Sequence, residues 1–245
     1  MLLKYENEKT TFNWYNSLIE KASVYKKLAS VFKRSFGQDY RKNIFDWKYL
    51  NLFSNDSIIQ EILIDDKAIG YRGLWKIKNY PNAYQCIDTC IHPDYQGKGI
   101  FSLSNQHLIK EIGSFYNYPN QISKPGYLKS GWEEISKMDI YLNKLENFEF
   151  CDWDDSFLDW RFVRHPYIKY YKTKIKGRYA ILRFKKKLPV HVESTSFNID
   201  LQEISNPIYS FKYDLKKNGL KIKNAGSIIG YNFNEELRSS YFDMI

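Results

Sequence analysis

The sequence predicts an α+β fold built around a mixed, mostly antiparallel central sheet flanked by helices. Three observations carry that expectation. Three strand-like runs follow one another between positions 58 and 91, separated by turn chemistry. Runs with helical spacing lie on either side of them. After Asn143 a fresh set of short strand-like runs begins, so a second, smaller α+β half is expected over 144–245.

Each element has its own reason. Apolar residues at 24, 25, 28, 31, 32 and 36 recur at helical spacing, and Gly37 supplies the stop. Ile58–Ile64 and Ala68–Ile77 read as strands around an Asp65-Asp66 turn, and Tyr84–Ile91 as a third strand ended by His92-Pro93. Phe101–Phe115 has helical spacing with Leu103, Leu108 and Ile112 inward. A last strand of the first half is expected over Ser136–Leu142. Beyond Asn143, Asp152, Asp154 and Asp155 open a short helix that breaks at His165-Pro166. Strands are expected over Tyr170–Ile175, Arg178–Lys185 and Val190–Ile199, and helical or mixed structure after Pro207.

Composition removes several classes of function. The 245 residues contain 43% hydrophobic and 27% charged side chains, ordinary for a chain that buries a core. Three cysteines (Cys86, Cys90, Cys151) do not make a disulfide framework. The start lacks a signal-peptide h-region and no run is long and apolar enough to span a bilayer. A cytoplasmic protein is expected. The four histidines show no metal-ligand spacing, and helix capping accounts for the aspartates at 152–155 better than a metal does, so no metal is expected. The net charge of +9 suits an anionic ligand. Its densest run, Lys172–Lys187, reads either as a nucleic-acid surface or as the solvated face of a hairpin, since Lys172, Lys174 and Lys176 alternate. The hairpin reading is preferred.

The informative segment is Cys90-Ile-His-Pro-Asp-Tyr-Gln-Gly-Lys-Gly-Ile-Phe101, between a strand and a helix. Gly97 and Gly99 allow a tight turn of exposed amides, and the following helix directs its positive end into the same space, which makes an anion site. Walker A fails because Ile100 follows Gly99 where Lys is required. The dinucleotide fingerprint fails because Ser102 stands at its last glycine and no acid follows about 20 residues on.

A third pattern fits. Ile91-x-Pro93-x-Tyr95 followed by Gln96-Gly-Lys-Gly-Ile-Phe101 resembles the acyl-CoA motif of the GNAT acyltransferases, (R/Q)-x-x-G-x-(G/A), with Phe101 in place of the small sixth residue. Downstream, Asn120, Ser123, Tyr127, Gly131 and Trp132 fall at the spacings of a second GNAT pattern, N-x-x-A-x-x-x-Y-x-x-x-G-[FW]. The tail, with Trp160-Arg-Phe-x-x-His-Pro166, is similar to an extension in bacterial GNAT proteins that accompany surface-polysaccharide genes.

The resemblance implies a GNAT acyl-CoA-binding domain over 1–143 and a C-terminal domain over 144–245, GNAT-like or not, that completes the acceptor site. It implies direct transfer of an acetyl group from acetyl-CoA to an amine. Backbone groups at Thr89, Cys90 and Ile91 would hold the pantetheine arm and the thioester. Gln96, Gly97, Lys98, Gly99, Ile100 and Phe101 would take the pyrophosphate, and Asn120 the CoA arm. Tyr127 would be the general acid toward the leaving thiolate. The base is expected at Asp88, a charged residue inside an apolar strand, or next at Glu61. Simple alternation puts Cys86, Asp88 and Cys90 on one face of their strand. A small-molecule amine is the expected acceptor, an amino sugar or its nucleotide-linked form by the association of the tail. A peptide acceptor and a noncatalytic acyl-CoA- or nucleic-acid-binding module are the alternatives, and the resemblance leaves room for a homodimer.

Overall fold

The computed structural model describes residues 10–51, 53, 56–76, 83–147, 153–205, 207, 209–214 and 219–233. In chain order they form β1 (Thr10–Tyr15), α1 (Leu18–Phe36), α2 (Lys42–Tyr49), β2 (Ile58–Ile64), β3 (Lys67–Lys76), β4 (Tyr84–Ile91), α3 (Ile100–Glu111), β5 (Phe115–Asn117), α4 (Lys124–Lys129) and β6 (Glu133–Lys144). There follow α5 (Asp155–Leu158), β7 (Tyr170–Ile175), β8 (Arg178–Lys185), β9 (Leu188–Thr195), β10 (Gln202–Glu203), β11 (Tyr209–Asp214) and β12 (Leu220–Tyr231). The chain divides into two compact units. One holds the described residues up to Glu134 together with the segment from Ile229, and the other holds Ile135–Ile228. The expected boundary at Asn143 falls inside β6.

In the first unit the strands run β1-β2-β3-β4-β5, with the Ile229–Tyr231 end of β12 beyond β5. Neighbours are antiparallel except β4 and β5, which pair in parallel. That pairing covers Tyr84–Phe115 and Gln85–Tyr116. Beyond Gln85 the two strands have no ladder between them, because β5 ends at Asn117 and Pro119 follows.

The core of this unit lies on both faces of the sheet. Under α3 and α4, Leu74, Cys86, Leu108, Phe115, Tyr127, Trp132 and Ile229 pack together. A second cluster joins Ile62, Ile64, Ile69, Ile91 and Ile100. On the opposite face α1 buries Val24, Leu28 and Val31 at helical spacing. This helix starts at Leu18, ahead of the apolar periodicity, because Ser17 and Glu20 form a reciprocal capping box. Helix α3 stops at Glu111, short of the expected Phe115, which opens β5 beyond Gly113 at φ 98°.

In the second unit the order is β12-β6-β11-β9-β8-β7-β10. The hairpins β7–β8 and β8–β9 turn at Lys176-Gly177 and Lys186-Lys187, all four residues having positive φ, as two-residue hairpin turns require. Asp154 caps α5 through Phe157 N at 2.8 Å, as expected, while Cys151 and Asp152 lie outside the described residues. Two expectations fail here. The segments after Pro207 are strands β11 and β12 rather than helices. Lys172 does not share an outer face with Lys174 and Lys176. It is buried, its ammonium donating to Ile199 O at 2.7 Å and Asn198 Oδ1 at 2.6 Å. Among the described residues no helix is long and apolar enough to cross a membrane.

Candidate active site

The site is organised by an irregularity in β4. Tyr71 of β3 pairs with Cys90, and Gly73 pairs with Ile87, so Arg72 alone stands opposite two residues, Asp88 and Thr89. This is a β-bulge, and Asp88 takes φ 48° within it. The extra residue resets the alternation. Asp88 and Cys90 face α1 and α2, where Asp88 meets side chains of α2 and Cys90 lies in the field of Tyr40 and Tyr49. Cys86 and Thr89 face α3 and α4, where both hydrogen-bond to Tyr127. The expected sharing of one face by Cys86, Asp88 and Cys90 is therefore corrected: Cys86 lies on the opposite face from the other two.

Asp88 is held by three donors. The Tyr40 hydroxyl reaches Oδ2 at 2.5 Å, the Tyr49 hydroxyl reaches the same oxygen at 2.9 Å, and the Lys48 ammonium reaches Oδ1 at 2.6 Å. Lys48 also lies 5.9 Å from the centroid of the Tyr40 ring. Gly73 makes room for this arrangement: a Cβ there would fall 1.9 Å from the Tyr49 hydroxyl. Burial and the Asp88 carboxylate hold both tyrosine hydroxyls protonated far above the usual phenol range. Asp88 keeps about a tenth of its side chain exposed.

Glu61, the second candidate base, is 1% exposed and fully engaged. It accepts from the hydroxyls of Tyr15 at 2.5 Å and Tyr71 at 2.6 Å and from Asn13 Nδ2 at 3.1 Å. Burial raises Tyr15 to about 12 and Tyr71 higher still, so both remain donors to the carboxylate. These bonds knit β1, β2 and β3 together.

The glycine segment forms an exposed turn. Gly97 and Gly99 both occupy the left-handed region, at φ 73° and 82°. Gly99 is the N-cap of α3 and no side chain caps that end, which leaves the amides of the first turn to an incoming anion. Gln96 donates to Ile91 O at 2.8 Å, tying the turn to the end of β4. Lys98 lies exposed at 5.2 Å from the Tyr95 ring centroid. Ile100 is buried in the apolar cluster, so its backbone alone faces the turn. Phe101 also points inward, edge-on to Tyr127 with 4.9 Å between ring centroids. It does not obstruct the turn.

Tyr127 is 1% exposed. Its hydroxyl is hydrogen-bonded to the side chains of Thr89 and Asn117. Burial and the Cys86 thiol raise it to about 12, against the pull of Arg72, Thr89 and Asn117. Asn120 is exposed, and its Oδ1 accepts from Ile122 N and Ser123 N at 3.0 and 2.8 Å, shaping the entry to α4. Tyr40, Lys48, Tyr49, Arg72 and Asn117 were not anticipated. For Arg72 a signal existed, since it is a charged residue in an apolar strand, as Asp88 is.

Residues 21–118 match the Acetyltransferase (GNAT) family model. The chain carries a GNAT-family acetyltransferase domain. That segment runs from α1 to the end of β5 and contains the bulge and the glycine turn. No curated protein sequence matches the chain. Among solved structures, it resembles a conserved Enterococcus faecalis protein of unknown function described as a probable N-acyltransferase (TM-score 0.57, 13% identity, 91% of this chain and 72% of that one). It also resembles a candidate acetyltransferase from Pyrococcus horikoshii (TM-score 0.56, 7% identity, 98% and 94%). A third is a GCN5-related N-acetyltransferase from Kribbella flavida (TM-score 0.53, 11% identity, 90% and 71%). At these identities the likeness is one of fold. GNAT enzymes use acetyl-CoA, and the uncapped end of α3 beside two left-handed glycines fits its pyrophosphate.

Proposed function

We propose that the GNAT domain transfers an acetyl group directly from acetyl-CoA to the primary amine of a small molecule. The observation that carries this is the bulge. It places Asp88 on one face of β4 and Thr89, the partner of Tyr127, on the other, next to a strand edge with no ladder beyond Gln85. The thioester would lie along that edge, held by backbone groups of Thr89, Cys90 and Ile91. Gln96–Phe101 would take the pyrophosphate, with Lys98 adding charge and the free amide of Asn120 touching the CoA arm.

Asp88 would serve the acceptor. When the acceptor's ammonium takes the place of Lys48 at Oδ1, the carboxylate can remove its proton and free the amine for attack. The amine nitrogen bonds to the thioester carbon and gives its second proton to solvent, the C–S bond breaks with its electron pair on sulfur, and Tyr127 protonates the thiolate. A protonated Tyr127 is ensured by its raised pKa. An amino sugar is the acceptor suggested by the resemblance of the tail to extensions found beside polysaccharide genes.

Thiol release from acetyl-CoA across a panel of amines, amino sugars included, tests the reading. Turnover of at least one small amine is expected. Acetyl-CoA hydrolysis with no acetylated amine, or acetylation confined to peptides, would sink it.

A further inference from the structure

Arg72 is the most anomalous residue in the fold. It is 0% exposed, and none of its three guanidinium nitrogens has a hydrogen-bond partner among the described residues. A buried cation without a counterion is strongly unfavourable. Its surroundings are specific. It stands directly opposite the bulge, and its cross-strand neighbour on β2 is Gln60, whose Nε2 is also without a partner. The guanidinium carbon lies 5.5 Å from the Phe101 ring centroid and 5.9 Å from that of Tyr127. The core cluster around Tyr127 contains no carboxylate among the described residues.

Phe101 and Gly126 belong to the same arrangement. Phe101 occupies the motif position where a small residue is usual, and its ring closes over Arg72. A Cβ on Gly126 would sit 2.8 Å from that ring, so the residue before Tyr127 must be glycine for Phe101 to lie there. Three features unrelated in sequence thus converge on one packed cation.

We propose that Arg72 is a positioning residue that acts through Tyr127: its unpaired charge stabilises the tyrosinate formed when Tyr127 protonates the leaving CoA thiolate. This rests on the general-acid reading of Tyr127. The balance is simple. The departing sulfur keeps the C–S electron pair and takes the phenolic proton, giving CoA thiol and a tyrosinate. Arg72 is then paired for the first time. The acceptor nitrogen sheds two protons, one to Asp88 before attack and one to solvent after it; one returns to Tyr127 through solvent and the other is released. The other titratable groups around Tyr127 are Cys86 and Tyr84 of β4 and Tyr231 of β12, with His107 of α3 beyond Trp14. Burial pushes the Cys86 thiol and the Tyr84 hydroxyl up and the His107 imidazole down, each toward its neutral form, so Arg72 is the charge that acts there. Arg72 already pulls the Tyr127 and Cys86 pKa values downward, making both more acidic, against the upward push of their burial.

The test compares Arg72→Met and Arg72→Lys with Tyr127→Phe. Arg72→Met should fold with a thermal midpoint at or above wild type, because an apolar chain of similar shape replaces an unpaired buried charge. Its kcat should fall by about tenfold to a hundredfold with unchanged acetyl-CoA affinity. Arg72→Lys, which keeps the cation, should lose less. A more acidic phenol at 127, 2,3-difluorotyrosine, should restore much of the lost kcat in Arg72→Met, a rescue that a merely structural role would not produce. Wild-type kcat in Arg72→Met, or loss of activity in step with loss of stability and no rescue, overturns the proposal. Full activity in Tyr127→Phe would instead remove the general-acid reading itself.

Discussion

Asp88 accepts from two phenols and an ammonium, and that crowding governs what its replacement does. Asp88→Asn keeps the shape but removes the counterion of Lys48, leaving a nearly buried charge unpaired. A loss of about 1–3 kcal/mol in unfolding free energy is expected from denaturant titration. The limb of the kcat/KM–pH profile that reports the base should disappear in the same variant. An unaltered profile would clear Asp88 as proton acceptor. Tyr127→Phe should lower kcat by about 10²–10⁴-fold while calorimetry finds acetyl-CoA affinity unchanged. At this scale the sequence was legible where a motif or an out-of-place charge marked a residue. Asp88 stood out in its strand and Tyr127 in its register with Asn120 and Gly131. The cage of Tyr40, Lys48 and Tyr49 was not legible, because tyrosines are abundant here and their convergence on one carboxylate depends on tertiary packing.

Elements were read well where period and turn chemistry agreed, as in Ile58–Ile64, Tyr84–Ile91, Tyr170–Ile175 and Arg178–Lys185. They were misread where a cap or a bulge overrode the period. The capping box begins α1 before its apolar stripe, and the bulge in β4 reverses the faces inferred from alternation. Strands β11 and β12 went unseen because basic residues interleave their apolar ones. The glycine turn makes a prediction at this scale. Gly99→Ala places a Cβ at φ 82°, a conformation costing an L-residue about 1–2 kcal/mol. A shift of the turn should weaken acetyl-CoA binding by about tenfold, read by thermal shift or calorimetry. Gly126→Ala should act differently. It displaces Phe101 from Tyr127, so kcat is expected to fall more than affinity.

For the molecule as a whole, buried titratable groups set an uncommon pH profile of stability. Lys21 is fully buried, its ammonium on Ser57 O at 3.0 Å, and burial lowers it from 10.5 to about 8. Between those values the unfolded chain binds the extra proton, so stability rises with pH. Burial raises the Cys86 thiol from 9.0 to about 11 and Cys90 to about 12. Above 9 the unfolded chain releases protons that the native thiols keep, so stability falls. Burial also holds His191 well below 6.5, and acid below that value favours the unfolded chain, which takes up the proton. The thermal midpoint should therefore be highest near pH 9. Lys21→Met should flatten the rise between pH 8 and 9, and an unchanged rise would remove Lys21 as its source.

The gap between β4 and β5 has a consequence for handling the protein. A strand flank left without a neighbour is a place where another polypeptide can dock by main-chain bonding. That flank invites self-association, and if the pantetheine arm lies there as proposed, concentrated stocks should stay dispersed longer when coenzyme A is added during purification.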